Sequence, residues 1–379
     1  MSATAQPQAS QTDVKNWEEE KYYQASQWQL AWWRFKKHKI ALIAIVVLFI
    51  LYLSAVFADF VGPYHISKRF ANLGDSPPSS IHFFHNGGFE GPFVYARKTK
   101  LNMKTFKNEY VENKSRTYPI RFFARGEPYE LLGVIPMERH LFTTGEGAPP
   151  VFLFGADRLG RDIFSRTVHG AQISLSIGLV GVSIGFLLGV IIGSISGYFG
   201  GVTDTVIQRV IEFILSLPTI PLWMGLSTAL PRDWSVIKTY FFITIILSFV
   251  SWTTLAREVR GKLLSLREED FVVSAKLAGA SEFRIMSRHL LPSFTSHLIV
   301  NLTLAIPAAI IGETALSFLG LGMQPPAVSW GTLLQDSQNI VAVAQAPWQL
   351  IPCLFVIVTV LMFNFLGDGL RDAADPYST

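Results

Sequence analysis

Apolar residues along this chain gather into six runs: Ile40 to Ala58, Ile173 to Gly197, Val206 to Leu230, Tyr240 to Ala256, Phe294 to Gly312 and Pro347 to Gly367. At about 1.5 Å of rise per helical residue they reach roughly 25 to 38 Å, the scale of a hydrocarbon core about 30 Å thick. The pattern predicts six transmembrane helices. Tyr240 to Ala256 is the shortest and needs one more turn to cross. Val206 to Leu230 is the most interrupted, since it holds Arg209, Glu212, Pro218 and Pro221. Each proline removes a backbone hydrogen bond and tends to kink its helix, as does Pro307 in the fifth run. Arg209 and Glu212, three residues apart, are expected to form a local ion pair.

The polar stretches between these runs divide the chain. Residues 1–39 are a polar N-terminus. Within it Trp28 and Trp32 stand at i, i+4, with Trp33 beside them and Arg34, Lys36, Lys37 and Lys39 after them. Indole rings on one face of a helix with a cationic cluster suit the headgroup layer, so Trp17 to Lys39 is expected to be an interfacial elbow helix. Residues 40–61 hold the first transmembrane helix. Residues 62–154 carry aromatic runs punctuated by Pro and Gly, such as Tyr118-Pro-Ile-Arg-Phe-Phe, which predict a small subdomain with some β structure. Residues 155–376 hold the remaining five helices. An amphipathic stretch, Asp157 to Gln172, leads into the second run, with Asp157, Arg158, Arg161 and Asp162 as a charge network holding it.

Composition agrees: half of the 379 residues are hydrophobic and 16% are charged, as in an integral membrane protein. The polar N-terminus is too long for the n-region of a cleaved signal, so the first run is expected to stay as an anchor; Val56-Phe57-Ala58 is the only cleavage-like feature. Charge sets the orientation. The segment from Arg257 to Pro292 carries seven positive residues, and the loop from Glu313 to Ala346 carries none. Positively charged short loops stay inside, so both termini are expected in the cytoplasm and residues 62–154 on the outer face. The net charge of +4 does not point to nucleic acid, because the positive residues border membrane segments. Cys353 is the single cysteine, so no disulfide framework exists within the chain.

The most informative segment is Arg267 to Pro292. Glu268, Glu269 and Asp270 sit in an opening helical turn, where the helix dipole favours acids. Phe271, Val272, Ala275 and Ala278 recur at helical spacing, Gly279 is placed to end that helix, and a second short helix from Glu282 to Leu290 carries Arg284 and Arg288. Pro292 stands where the next span begins. A short element capped at both ends can pass a displacement from a soluble partner to two transmembrane helices. A flexible basic loop is the plainer reading of the same residues.

This segment resembles the EAA signature of bacterial ABC import permeases. The small-residue triad is Val273-Ser274-Ala275, followed by Gly279 and, ahead of Leu291-Pro292, by His289 in a slot usually aliphatic. Arg288-His-Leu-Leu-Pro292 is similar to the oligopeptide/dipeptide/nickel branch. Three further stretches resemble that branch: Gly155 to Arg166; Gly197-Tyr-Phe-Gly-Gly201 with Asp204, Arg209 and Glu212; and Glu313 to Gly322 with Pro325-Pro326 and Trp330-Gly331. The triad's first two residues depart from the general pattern, and residues 62–154 lie outside the common core.

The resemblance implies an all-α integral membrane protein of the bacterial cytoplasmic membrane, multi-pass, with six transmembrane helices, an N-terminal interfacial helix, a cytoplasmic coupling helix within 265–292 and a small periplasmic subdomain with some β structure. It implies the second permease of a heterodimer, with two cytoplasmic ABC ATPase subunits and a periplasmic solute-binding protein as partners. Glu269, Phe271, Ala275, Gly279, Ala280, Arg284 and Arg288 would then meet the ATPase. Oligopeptides are the expected substrate, with oligosaccharides, nickel or another solute as alternatives.

Glu313, an ionisable group where the fifth span meets the outer face, is a candidate for the translocation path or its gate, or an interfacial residue. The chain shows no phosphate-binding loop, no His-Glu-x-x-His and no Gly-x-Ser-x-Gly, and its eight histidines are scattered. It is therefore expected to be no enzyme and to hold no cofactor or metal, with ATP and Mg in the partner ATPases. A secondary carrier and a membrane-anchored scaffold are the competing functions; the first would need ionisable groups at mid-membrane, which the spans scarcely contain.

Overall fold

A computed structural model describes residues 26–103, 107–145, 147–231 and 233–374; the start of the Trp17 to Lys39 stretch and the Asp375-Pro376 terminus lie outside them. Helix α1 (Gln27–Lys37) opens with a capping box at Ser26 and Gln29 and exposes Trp32 and Trp33. His38 accepts a hydrogen bond from Ala41 N and starts α2 (Lys39–Val56). Further along come α3 (Ile163–Phe199), α4 (Gly201–Ser216), α5 (Thr219–Thr228) and α6 (Val236–Leu266). They are followed by α7 (Asp270–Leu277), α8 (Thr295–Phe318), α9 (Trp330–Gln335) and α10 (Ile351–Ala374).

Among the described residues, α2, α3, α6, α8 and α10 are long and apolar enough to cross a membrane. The third predicted run behaves differently. It splits into α4 and α5, bent by 84° across their junction, so the spans number five, or six when the bent pair is one. Leu217 is extended there (φ −81°, ψ 128°), as a residue before proline tends to be, and Pro218 has no N–H with which to continue the helix. Pro307, by contrast, sits inside an uninterrupted α8. The second run is longer than its hydropathy suggests. Asp162 accepts from Ser165 N at 2.8 Å and starts the helix at Ile163, so the amphipathic lead-in and the span are one 37-residue element.

A stripe of glycines at 178, 181, 185, 189, 193 and 197 explains how α3 packs. A Cβ on Gly193 would lie 2.5 Å from the Ala256 carbonyl oxygen, and one on Gly189 would lie 2.9 Å from Leu255 Cβ. Helices without a hydrophobic driving force between them associate where small residues let their backbones approach, and here α3 and α6 do so along most of their length. Leu48 and Leu51 of α2, Leu175 of α3, Ile306 and Ile310 of α8 and Phe363 of α10 close the core on the other side of α3.

Between α2 and α3 the chain forms β structure. Strands β1 (His82–His85), β2 (Gly88–Asn102) and β3 (Lys107–Pro119) make an antiparallel sheet in that order. Asn86-Gly87, both at positive φ, supplies the two-residue turn of the first hairpin. Strands β4 (Arg121–Phe122) and β7 (Phe142–Thr143) pair, as do β5 (Arg125–Leu131) and β6 (Ile135–Arg139). Val94, Ile120, Phe142 and Val151 form a small core of their own. The region is fastened to the spans: Leu141 N donates to Phe60 O at 2.8 Å, Tyr64 N to Ser165 Oγ at 3.2 Å, and His140 Nδ1 lies 2.9 Å from Gly62 O.

Candidate functional site

At the end of the bundle remote from the strands, α7 lies across the end of α6 and the approach to α8. Its Val272 is fully buried with Val259 and Leu263 of α6 and with Ile285, Leu290, Phe294 and Leu298 from the segment that follows. Gly279 at φ +78° reverses the chain, letting Ala280 N donate to Ala275 O at 3.0 Å. Ser281 caps the next turn, Glu282–Ile285, accepting from Arg284 N at 3.4 Å; residues Met286–Leu290 are wound as a π-helix and Leu291–Ser293 complete the approach to α8.

The predicted contact residues separate into two sets. Glu269, Phe271, Gly279, Arg284 and Arg288 are exposed, whereas Ala275 and Ala280 are half-buried against the chain's own core and fasten α7 to the bundle. Two residues absent from the sequence-derived set dominate the outward surface: Leu277 is 85% exposed and Phe283 76%. Leu277 follows the buried Val272 by five residues and so lies on the opposite helical face; an apolar residue out of phase with the buried ones was the available signal.

Charges bind this segment to the spans. Arg260 of α6 grips Asp204 of α4 through two bonds, Nε to Oδ1 at 2.5 Å and Nη2 to Oδ2 at 2.6 Å, and Ser196 Oγ of α3 donates to the same carboxylate at 2.5 Å. Lys276 of α7 sits 5.7 Å over the Tyr198 ring. Lys276 and the buried Val272 thus join α7 to α3, to α6 and to the approach to α8, while the Arg260–Asp204 pair ties α6 to α4. Arg209 and Glu212 form the expected pair at 2.7 Å on an exposed face.

The opposite end is closed by the chain itself. After α8 the backbone turns through Gly320 and comes back as α9, which is packed inside, with Trp330 fully buried. Glu313 is buried beneath it: Ser317 Oγ donates to Oε1 at 2.8 Å and Ser174 Oγ of α3 to Oε2 at 3.1 Å, while Trp330 N donates to Ser174 Oγ at 3.1 Å. A Cβ on Gly331 would stand 2.6 Å from Ser317 Cβ. Glu313 thus sits at the joint of α3, α8 and α9. Nearby, Asp157 accepts from Arg161 Nε at 2.6 Å and from Arg166 Nη1 at 2.5 Å. Arg158 is exposed, so Arg166 fills the place in the charge network expected of it.

Between α3, α6 and α8, with Trp223 of α5, lies a cavity of about 340 Å³. Small residues make much of its wall: Gly181 and Gly185, Ser248, Ser251 and Thr254, Ala305, Ala308 and Ala309. Gly312 and Trp223 stand at the level next to Glu313, whereas Glu258 and Asn301 lie toward the α7 end. Glu313 itself is not among the lining residues. Sequence reading passed over Glu258 because it sits between Arg257 and Val259-Arg260, where it reads as one more charge at the edge of a loop.

Residues 189–377 match the family described as binding-protein-dependent transport system inner membrane component, and residues 26–78 match the N-terminal transmembrane domain of oligopeptide transport permease C. The chain is 31% identical over 349 residues to the dipeptide transport system permease protein DppC of Bacillus subtilis (strain 168), covering 92% of this chain and 85% of that one. It is 44% identical over 223 residues to the glutathione transport system permease protein GsiD of Shigella flexneri serotype 5b (strain 8401), covering 59% of this chain and 71% of that one. A solved structure of inward-facing MetNI methionine ABC transporter aligns at 16% identity and a TM-score of 0.43, over 55% of this chain and 96% of that one. The β structure between residues 79 and 154 falls outside both family matches. With α7 wedged between two spans and these matches, the chain belongs to the ABC import permeases of the oligopeptide/dipeptide branch, as an inner-membrane component of a binding-protein-dependent transport system.

Proposed function

We propose that this permease forms, with a second permease, the path by which short peptides enter a bacterial cell, delivered by a periplasmic solute-binding protein and driven by two cytoplasmic ATPases. The ATPases supply ATP, Mg and hydrolysis; this chain supplies the lever and half of the path. The observation that carries the reading is the apolar surface of the 269–288 segment. Leu277 and Phe283 stand in solvent on an element whose other side is anchored in the bundle, and exposed apolar groups gathered on a rigid, charge-rimmed element mark an interaction site.

In this reading Phe271, Leu277, Gly279 and Phe283 enter a cleft of the ATPase, with Glu269, Arg284 and Arg288 at its rim, while Ala275 and Ala280 hold the helix to α6 and α8. Closure of the ATPase pair moves α7 and rocks the spans. The seven positive residues between Arg257 and Pro292 support a cytoplasmic position for this end and for both termini. Residues 62–154 then form the periplasmic subdomain, and α1 lies in the inner headgroup layer with Trp32 and Trp33. Glu313 serves as the buried joint of the outer end. Peptides are preferred as substrate because relatives named for dipeptide and glutathione transport share the core.

The test is purification of the assembled transporter from cells that also express the partner subunits. A Leu277→Glu, Phe283→Glu chain should insert into the membrane, fail to retain the ATPases and abolish peptide uptake. Retention of both ATPases and uptake at the normal rate would refute the assignment of this surface.

A further inference from the structure

The cavity has one acidic residue among its lining residues, Glu258, whose side chain is half-buried. Its Oε2 is buried and makes no hydrogen bond. The nearest cationic candidate is His297, whose Nε2 stands 3.4 Å away. That nitrogen is already engaged, because Asn301 Nδ2 lies 3.0 Å from it. An amide nitrogen only donates, so in this arrangement His297 Nε2 accepts from Asn301 rather than hydrogen-bonding Glu258. A carboxylate within a membrane bundle is costly unless it faces a cavity and meets a cation.

The rest of the wall fits a peptide chain. Leu247 to Glu258 on α6 and Asn301 to Gly312 on α8 each advance eleven residues, about 16 Å of helix, which is the length of roughly five extended residues. Glycine, alanine and serine walls leave room for side chains of varied size, and Trp223, at the far end, has a buried indole N–H with no acceptor among the described residues.

We propose that this slot binds an organic ammonium group, the amino terminus of the transported peptide, with Glu258 as its charge partner, Thr254 one turn away on the same wall and Trp223 toward the other end. The peptide as ligand rests on the function proposed above; the charge preference of the slot does not. Glu258 is a specificity-determining residue in this scheme. It holds the leading ammonium near the cytoplasmic end of the path and disfavours chains whose amino terminus is blocked.

The experiment uses the assembled transporter in membranes, with Thr254→Cys as its labelling site and Cys353→Ser removing the native thiol. Cationic and anionic methanethiosulfonates of similar size are the first probes. The cationic reagent should modify the cysteine on the order of tenfold faster than the anionic one, since a carboxylate about 6 Å away in a low-dielectric cavity concentrates cations. Glu258→Gln should abolish that preference and Glu258→Asp should restore it, with ATPase co-purification retained in both. Equal rates with Glu258 in place, or no labelling because a helix of the second permease fills the slot, would overturn the proposal. Trialanine is the second probe. It should protect the cysteine at concentrations at which N-acetyl-trialanine does not, and only with an acid at position 258; equal protection by the two, or by an acetylated peptide bearing lysine, overturns the amino terminus as the ligand. Wild-type transporter that keeps the charge preference yet takes up no peptide would instead sink the peptide-import reading.

Discussion

The two ends of the helical bundle are finished in opposite ways. At the strand-bearing end buried charges meet partners in the same chain: Asp157 holds Arg161 and Arg166, and Glu313 holds two serines beneath the buried Trp330. At the other end α7 and the turn after Gly279 present Phe271, Leu277 and Phe283 to solvent. Polar groups within a membrane protein are dear when unmatched, so an end that matches its own is built as a fixed plate. Apolar groups such as Phe89 and Val134 are exposed on the strands as well, but Leu277 and Phe283 stand on a segment whose other side is anchored between spans. The contrast teaches that buried charge pairs gather at one end, while the other holds a short helix anchored in the bundle on one side and open on the other.

The comparison breaks most readily at Asp157. Asp157→Ala strands the buried Arg166 guanidinium, and losing one member of a buried pair costs about 3–5 kcal/mol, so thermal unfolding in detergent should show a large loss. An unchanged midpoint would mean that the strand-bearing end is not the rigid one.

Asp162 gives a pH-resolved version. Burial pushes its carboxyl up to about 6, against the bonds from Ser165 that lower it. The folded state therefore holds this proton more tightly than the unfolded chain, whose aspartates titrate near 4. The stabilisation is complete below about pH 4 and is lost as the pH rises through about 6. Asp162→Asn keeps an acceptor for the Ser165 N–H and removes the titration. Relative to that variant, wild-type stability should fall by on the order of 2–3 kcal/mol between pH 4 and pH 7; parallel unfolding curves across that range would contradict it.

At the other end the effects on folding shrink. Gly279 adopts φ +78° with open space around an added Cβ, so Gly279→Val bears only a conformational cost, about 1–2 kcal/mol, and Gly279→Asn less, measurable as a difference in unfolding midpoint. Leu277→Asp and Phe283→Asp should change the stability of the isolated permease by less than about 0.5 kcal/mol, because both side chains are already in water. Their large effect belongs to ATPase attachment, and a large loss of stability in the isolated chain would show that they pack inward.

Much of the fold was legible because membrane helices announce themselves by length and hydropathy. The helices expected from Ile40, Tyr240, Phe294 and Pro347 recur with ends shifted by up to about three turns, the largest shift being at Leu266. The end of α7 at Gly279 was legible too, whereas the Ser281 cap of the next turn came only with the structure. The third run misled, since hydropathy is blind to direction: Val206 to Leu230 is apolar throughout, and only the backbone at Leu217-Pro218 reveals the 84° bend. The packing of the loop after Glu313 was not legible. Its lack of positive charge speaks only to its side, whereas Gly322, Trp330 and Gly331 fold it back into the bundle, and such packing depends on which helices lie beside it.

By itself, then, the sequence determined how many apolar segments there are, where the basic segment between them begins and ends, and which family they belong to, because hydropathy, charge and turn residues act within a few residues of one another. Which acid faces the cavity and which is sealed away was decided only by the tertiary structure. Glu258 and Glu313 are alike as letters near the ends of apolar runs. One faces a slot between α3, α6 and α8, and the other lies beneath Trp330, because packing brings α3 and α8 around Glu258 and Ser174, 139 positions away, against Glu313.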